Sequence, residues 1–284
     1  MIGIAARSID PSDRIVEITP RSGRQGLGLR ALWQAREVVW RFAARSLTLR
    51  YRQTALGIAW VALQPVLTSG VLALVFGRFA GLSSRGAPYL LTVYAGLLPW
   101  LLFSQVIARG GVSLVSERTL VTKSALPRMA LPLSSLVAVT VDLGVALAFF
   151  FLLAASQGLA PGLQLLTLPL LMLPLFALCA GCVLIVAAAN VYYRDVQQTI
   201  PFLLQVGFFA SPIAYPMERV TGAWARLLYA NPITGQAEAF RWALLGGRDF
   251  PLEPWAWSCA VSALLLVLGL VYFRRVDQEL ADVI

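Results

Sequence analysis

Lys123 is the only lysine in this chain and histidine is absent, so most catalytic chemistries lack their key side chain. A phosphate-binding loop needs a lysine behind a glycine-rich turn to reach the β- and γ-phosphates, and Leu120, Val121 and Thr122 stand where those glycines belong. ATP hydrolysis is therefore not expected of this chain. Without imidazole there is no Ser-His-Asp arrangement and no histidine metal site. The carboxylates are scattered singly, so the sequence offers no catalytic residue and no metal ligands. Cys179 and Cys182 form a CxxC, but it lies in the apolar run 175–189 and reads as core filling. Asp142 sits in the middle of a long apolar segment, where a carboxylate is costly and has a partner or a function. The expected partner is a hydrogen-bonding group on a helix: Thr140 of a second copy, Ser134 or a backbone group. A proton relay is the alternative, weakened because no second ionisable residue lies within the spans apart from Arg109 near a membrane end.

The elements that would position these groups belong in a membrane. Apolar residues make up 58% of the chain and charged residues 13%, with a mean hydropathy of +0.74, far outside the soluble range. The 284 residues leave room for about six spans of ~20 residues. The net charge of +9 comes from arginines flanking apolar runs, a pattern of membrane orientation. No aromatic and basic recognition module for nucleic acid accompanies it.

Residues 1–28 mix prolines, glycines and arginines and read as a flexible cytoplasmic tail. Over 30–52, Trp33, Trp40, Ala44, Leu47 and Tyr51 recur on one helical face with Arg41, Arg45 and Arg52 on another, which predicts an amphipathic interface helix. Spans are predicted over about 57–76, 89–112, 129–155, 163–190, 199–216 and 255–273. The first should kink at Pro65. The fifth is short and carries Pro201, Pro212 and Pro216. After it, Asn231-Pro232 splits 224–245 into two pieces, each too short for a ~30 Å core at 1.5 Å per residue. Re-entrant half-helices on the outer side are the expected solution, with Glu238 and Arg241 needing water, headgroups or each other at one turn's spacing. The expected fold is thus all-α and polytopic, with six spans.

With the N-terminus inside, the inner segments carry 17 Arg and Lys and the outer segments 6, which puts both termini in the cytoplasm. Tyr94, Trp100 and Phe103 on the second span and Phe202, Phe209 and Tyr215 on the fifth admit two readings. They are packing and interfacial aromatics, or platforms along a sugar-conducting channel.

In order along the chain stand Tyr51-Arg52-Gln53-Thr54-Ala55-Leu56-Gly57-Ile58-Ala59-Trp60 with Gln64-Pro65, Leu120-Val121-Thr122-Lys123 with Pro127-Arg128, Ala210-Ser211-Pro212 with Tyr215-Pro216, and Asn231-Pro232 with Phe240-Arg241-Trp242. This combination resembles the ABC-2 type permeases of polysaccharide export, O-antigen exporters among them, over residues 30 to 275. The resemblance implies a homodimeric channel in the bacterial inner membrane, with each copy bound to a separate ATP-binding-cassette subunit. ATP and Mg would sit on that partner, with no cofactor on this chain. The implied cargo is a lipid-linked glycan, such as undecaprenyl-diphosphate-linked O-antigen for lipopolysaccharide biosynthesis. It further implies that Glu117, Arg118, Lys123 and Arg128 on one inner loop, and Arg194 and Asp195 on another, contact the ATPases. The half-helices, with Tyr229, Asn231, Pro232, Glu238 and Arg241, would form the outer gate. Capsule, teichoic-acid and small-molecule exporters share this architecture, and an intramembrane glycan transferase is the enzymatic rival. The purified chain, assayed alone for phosphate release, is expected to give no ATP turnover above a no-protein blank.

Overall fold

The computed structural model describes residues 36–52, 57–79, 81, 87–123, 127–215, 217, 220, 222–247 and 249–283. The expected tail at 1–28, the start of the interface helix and Gln53 to Leu56 lie outside the described residues. Those described are helical, and no strand occurs among them. The helices are α1 (Arg36–Tyr51), α2 (Ala59–Leu72, continued as a π-helical stretch Ala73–Phe79), α3 (Tyr89–Gly110), the short α4 (Ser113–Ser116) and α5 (Arg118–Lys123), and α6 (Ala130–Ser156). A 3₁₀ turn Leu163–Thr167 leads into α7 (Leu168–Tyr192), followed by α8 (Asp195–Phe209), α9 (Ala223–Ala230), α10 (Pro232–Leu245) and α11 (Leu252–Val283).

Among the described residues, five helical stretches are long and apolar enough to cross a membrane: 59–79, 89–116, 130–156, 163–192 and 252–278. The most deeply enclosed is α3, buried without interruption from Leu91 to Trp100. It packs against α2, α6, α7 and α10, and its Leu98, Leu102 and Val106 share one apolar core with Leu143 and Phe150 of α6 and Leu175 and Cys179 of α7. Cys179 and Cys182 are both free thiols, as core filling requires.

Helices α7 and α11 run parallel in close contact. Gly181 lies against the backbone of Leu265 and Leu266, and Gly269 against the backbone of Gly181. Further along both helices, Leu184, Ala187 and Ala188 meet Leu270, Phe273 and Val276. Small residues allow this approach where lipid supplies no hydrophobic drive between helices. The same packing explains why α11 extends past the predicted end at 273. Phe273 is buried at that end and Val276 beyond it, and Asp277 accepts from Arg128 through its carbonyl at 2.8 Å and its carboxylate at 3.3 Å.

Because α7 and α11 run the same way, the chain must return between them, and its route differs from the predicted fifth span. Helix α8 begins at Asp195 and ends at Phe209, where 199–216 was expected. Pro212 lacks an N–H and biases Ser211 away from helix, so the helix stops there. Its 15 residues reach only about 22 Å. The turn that follows, residues 211–215, carries the chain on beside α3: Ile200 sits beside Gly111, Gly207 against Trp100, and Ala214 accepts a hydrogen bond from Tyr89 at the start of α3.

That non-helical stretch exposes carbonyls with no helical partner, and Arg241 of α10 meets them. Its Nη2 donates to Pro212 O at 2.8 Å and Ile213 O at 2.7 Å, its Nε to Thr92 O at 3.1 Å, and its Nη1 to Glu238 at 2.6 Å. The side chain is 3% exposed. Gly96 provides the space, since a Cβ there would run into the guanidinium. The two predicted half-helices are present as α9 and α10, joined at Asn231. The Asn231 side chain caps α10 by accepting from Ile233 N at 3.0 Å and donates to Ser211 Oγ at 2.9 Å. Pro232 occupies the first turn, where its missing N–H costs nothing. At the far end Gly246, with φ +65°, turns the chain out of the helix.

Breaking a buried pair by removing one partner costs about 3–5 kcal/mol. Arg241→Ala is therefore expected to lower resistance to denaturant unfolding by about that much, with Arg241→Lys intermediate because a point charge replaces a planar fork. Unfolding curves of the purified variants in mixed micelles measure both.

Candidate functional site

Three places gather polar groups that the apolar helices would otherwise exclude. The first is the end of the bundle formed by α4, α5 and the α7–α8 junction. Val115 and Arg118 face Asn190, Val191, Arg194, Gln197 and Gln198 across an open groove of about 600 Å³. Asn190 is buried and donates to Gly111 O at 3.0 Å, which fixes one wall to the end of α3. Arg118, Arg194 and Asp195 are exposed, with Asp195 in the first turn of α8, where the helix dipole favours an acid. The structure thus brings Arg118 and Arg194 together from two separate loops. Glu117 instead approaches Arg45 of α1 at 3.8 Å, and Arg128 is committed to Asp277. The Lys123 side chain lies outside the described residues.

The second is centred on Asp142, and the sequence reading missed its partners. Thr140 turns back onto Leu136 O and Ser134 onto Leu131 O within α6, so neither meets the acid. Tyr51 donates to Asp142 Oδ1 at 2.6 Å, Arg109 Nη1 to Oδ2 at 3.0 Å, and Arg50 Nη1 also pairs with Oδ2. Burial and then the bond to Asp142 push the Tyr51 phenol above its ordinary range, keeping it a donor. Two arginines around one carboxylate leave the cluster with a net positive charge, which is poor ground for a proton relay and good ground for a structural tie. The tie explains the face that α1 presents. Ala43 is buried and Phe42 half-buried, while Trp40, assigned from sequence to the apolar face, is 59% exposed. The signal available in the sequence was the Arg50-Tyr51 pair at the end of the amphipathic pattern.

The third is the α9–α10 pair with the clamp already described. Glu238 and Arg241 do meet each other across one turn. Tyr229 is exposed, and Asn231 and Pro232 form the junction.

The six candidate channel aromatics separate. Tyr94 is 0% exposed, donates to Ala146 O at 3.0 Å and packs on Phe150. Trp100 is buried against Phe103 and Phe208 at ring distances of 5.8 and 6.0 Å. Tyr94 and Trp100 therefore pack the interior of the chain, because the Gly207 and Ala146 backbones approach α3 closely enough to enclose them. Phe202 and Phe209 of α8 are 63% and 65% exposed, and Tyr215 is half-buried. Among the described residues no group of three or more His, Cys, Asp or Glu side chains is placed to hold a metal ion.

An O-antigen export system permease protein RfbA from Myxococcus xanthus is 29% identical over 256 residues, covering 89% of this chain and 98% of that protein. An RfbA of the same description from Klebsiella pneumoniae is 20% identical, covering 84% of this chain and 92% of that one. The polysialic acid transport protein KpsM of Escherichia coli is 22% identical, with 83% and 92% covered. Residues 37–245 match the family described as ABC-2 type transporter, a stretch that takes in the polar loops, the Asp142 tie and the clamped half-helices alike. The chain belongs to the ABC-2 type transporter family and is a multi-pass, non-catalytic transport subunit.

Proposed function

We propose that this chain is the permease of an ATP-driven exporter that carries a lipid-linked polysaccharide across the inner membrane, with undecaprenyl-diphosphate-linked O-antigen as the cargo. The observation that carries the reading is similarity over nearly the full length of O-antigen export permeases. The absence of a phosphate-binding loop from the sequence assigns the motor to a separate ATPase, two copies of which would serve a dimer of this chain.

In this reading the chain crosses six times. The fifth crossing is α8 together with its non-helical continuation, supported by contacts that follow α3 from Gly111 to Tyr89. The α9–α10 pair enters and leaves on one side. Ile233, at its inner end, lies beside Leu97 and Leu178, eight or more residues into their helices, whereas Gly246 lies near Gln164 at the start of the adjacent span. Both termini then lie in the cytoplasm, in agreement with the arginine distribution. Phe202 and Phe209, with Leu203 and Val206, give α8 an exposed face suited to a second copy or to passing sugar rings. The groove with Arg118 and Arg194 supplies the cationic rim on which an ATPase docks.

In vesicles holding the permease and its ATPase, Arg118→Glu and Arg194→Glu are each expected to lower export by roughly tenfold while membrane insertion persists, since rim charges govern docking. Unchanged export and unchanged ATPase binding in both would remove these residues from the coupling surface. For topology, cysteines introduced as Ala223→Cys and Asp249→Cys in a cysteine-free background should react with an impermeant maleimide from the outer face only. Labelling from opposite faces would replace the re-entrant pair with a further span.

A further inference from the structure

Between α9 and α11 lies a groove of about 650 Å³ to which the transport reading assigns no ligand. It is lined by Arg226, Tyr229 and Ala230 on one side and Glu253, Trp257 and Ala260 on the other. Arg226 and Glu253 carry opposite charges, are both exposed, and make no ion pair with any described residue. The Tyr229 phenol is raised by burial and then by Glu238 and Glu253, so the Glu253 carboxylate is felt inside the groove. Trp257 donates from Nε1 to Ala230 O at 3.1 Å, which fixes its indole across the floor.

Beyond Ala260 the same face of α11 continues as Leu264, Val267, Leu268 and Val271, all exposed and at helical spacing. The groove is thus a dipolar, aromatic-floored notch at the head of an apolar track. A ligand that fills both parts has one positive and one negative group on a compact head and a hydrocarbon tail. A sugar would match the ring faces and hydroxyl acceptors but leave the track empty. A purely anionic lipid would satisfy Arg226 and meet Glu253 unpaired.

We propose that this groove is a headgroup site for a glycerophospholipid carrying a phosphate and a primary ammonium. The phosphate pairs with Arg226, the ammonium donates N–H to the Glu253 carboxylate, which a quaternary ammonium cannot do, beside the faces of Tyr229 and Trp257, and one acyl chain follows the α11 track. A lipid seated there bridges the first half-helix to the last span and restrains α9, so the composition of that leaflet sets how readily the half-helix moves.

The test is native mass spectrometry of the purified full chain, titrated in parallel with phosphatidylethanolamine, phosphatidylglycerol and phosphatidylcholine of identical acyl chains. It reads binding without transport, so its outcome is independent of the cargo assignment. Phosphatidylethanolamine is expected to be retained about fivefold over the other two, the scale of one partly exposed charge pair. Glu253→Gln should abolish the preference, Arg226→Gln should weaken retention of all three lipids because each carries the phosphate, and the double exchange Arg226→Glu with Glu253→Arg should recover part of the loss. Both side chains are exposed, so size-exclusion profiles should match the parent. Equal retention of the three lipids, or a preference that survives Glu253→Gln, overturns the proposal. Displacement of bound lipid by a soluble mannose oligosaccharide would also overturn it and assign the groove to a glycan.

Discussion

A stretch of unwound backbone inside a membrane protein is tolerable only where protein groups replace the missing helical partners, and here one guanidinium meets two of its carbonyls while Asn231 and Tyr89 meet two others. Arg241 binds carbonyls from two segments and is neutralised by Glu238 one turn away. Its planar fork reaches several acceptors at once, which an ammonium does not. Everything at that end of the bundle follows from it. Residues 210–215 leave the helix without leaving their carbonyls bare, α10 is held against α3, and Asn231 reaches Ser211 because the clamp keeps residues 211–213 in place. Gly96 is bound to the same requirement, since any larger residue would displace the guanidinium.

The opposite end is organised by a second ion cluster of different logic. Asp142 draws Arg50 and Tyr51 from α1 and Arg109 from α3 onto α6. An amphipathic helix that composition alone would lay on a lipid surface is thereby anchored to the bundle. The same helix offers Arg45 to Glu117 at the start of the polar loops. A displacement of those loops therefore has a short route, through α1, to a carboxylate inside the membrane.

Much of this was legible in the sequence. Long apolar runs fixed the spans that are single helices, the Asn231-Pro232 break announced two half-helices, and the one-turn spacing of Glu238 and Arg241 announced their pairing. Boundaries failed where tertiary contacts outweighed local pattern. Helix α8 stops at Phe209 because Pro212 ends it and Arg241 compensates, and α11 runs on because Phe273, Val276 and Asp277 find partners 85 or more residues away. Long-range partners leave no periodic trace, so beyond the Arg50-Tyr51 pair at the end of the amphipathic pattern nothing pointed to the company of Asp142. Nor could the burial of Tyr94, since an aromatic on an apolar helix has the same sequence signature whether it faces lipid, lumen or core.

The contact of Gly181 with Gly269 also bears on the order in which the molecule assembles during synthesis. The two helices it joins are parallel neighbours in the finished bundle, yet everything from α8 to α10 is made between them. When α7 enters the membrane, its small-residue face has lipid for a neighbour, and it waits for the last helix. At 5–20 residues per second that interval is on the order of several seconds. During it, α7 is held by the core it shares with α3 and α6, and the arrival of α11 is what closes this side of the bundle.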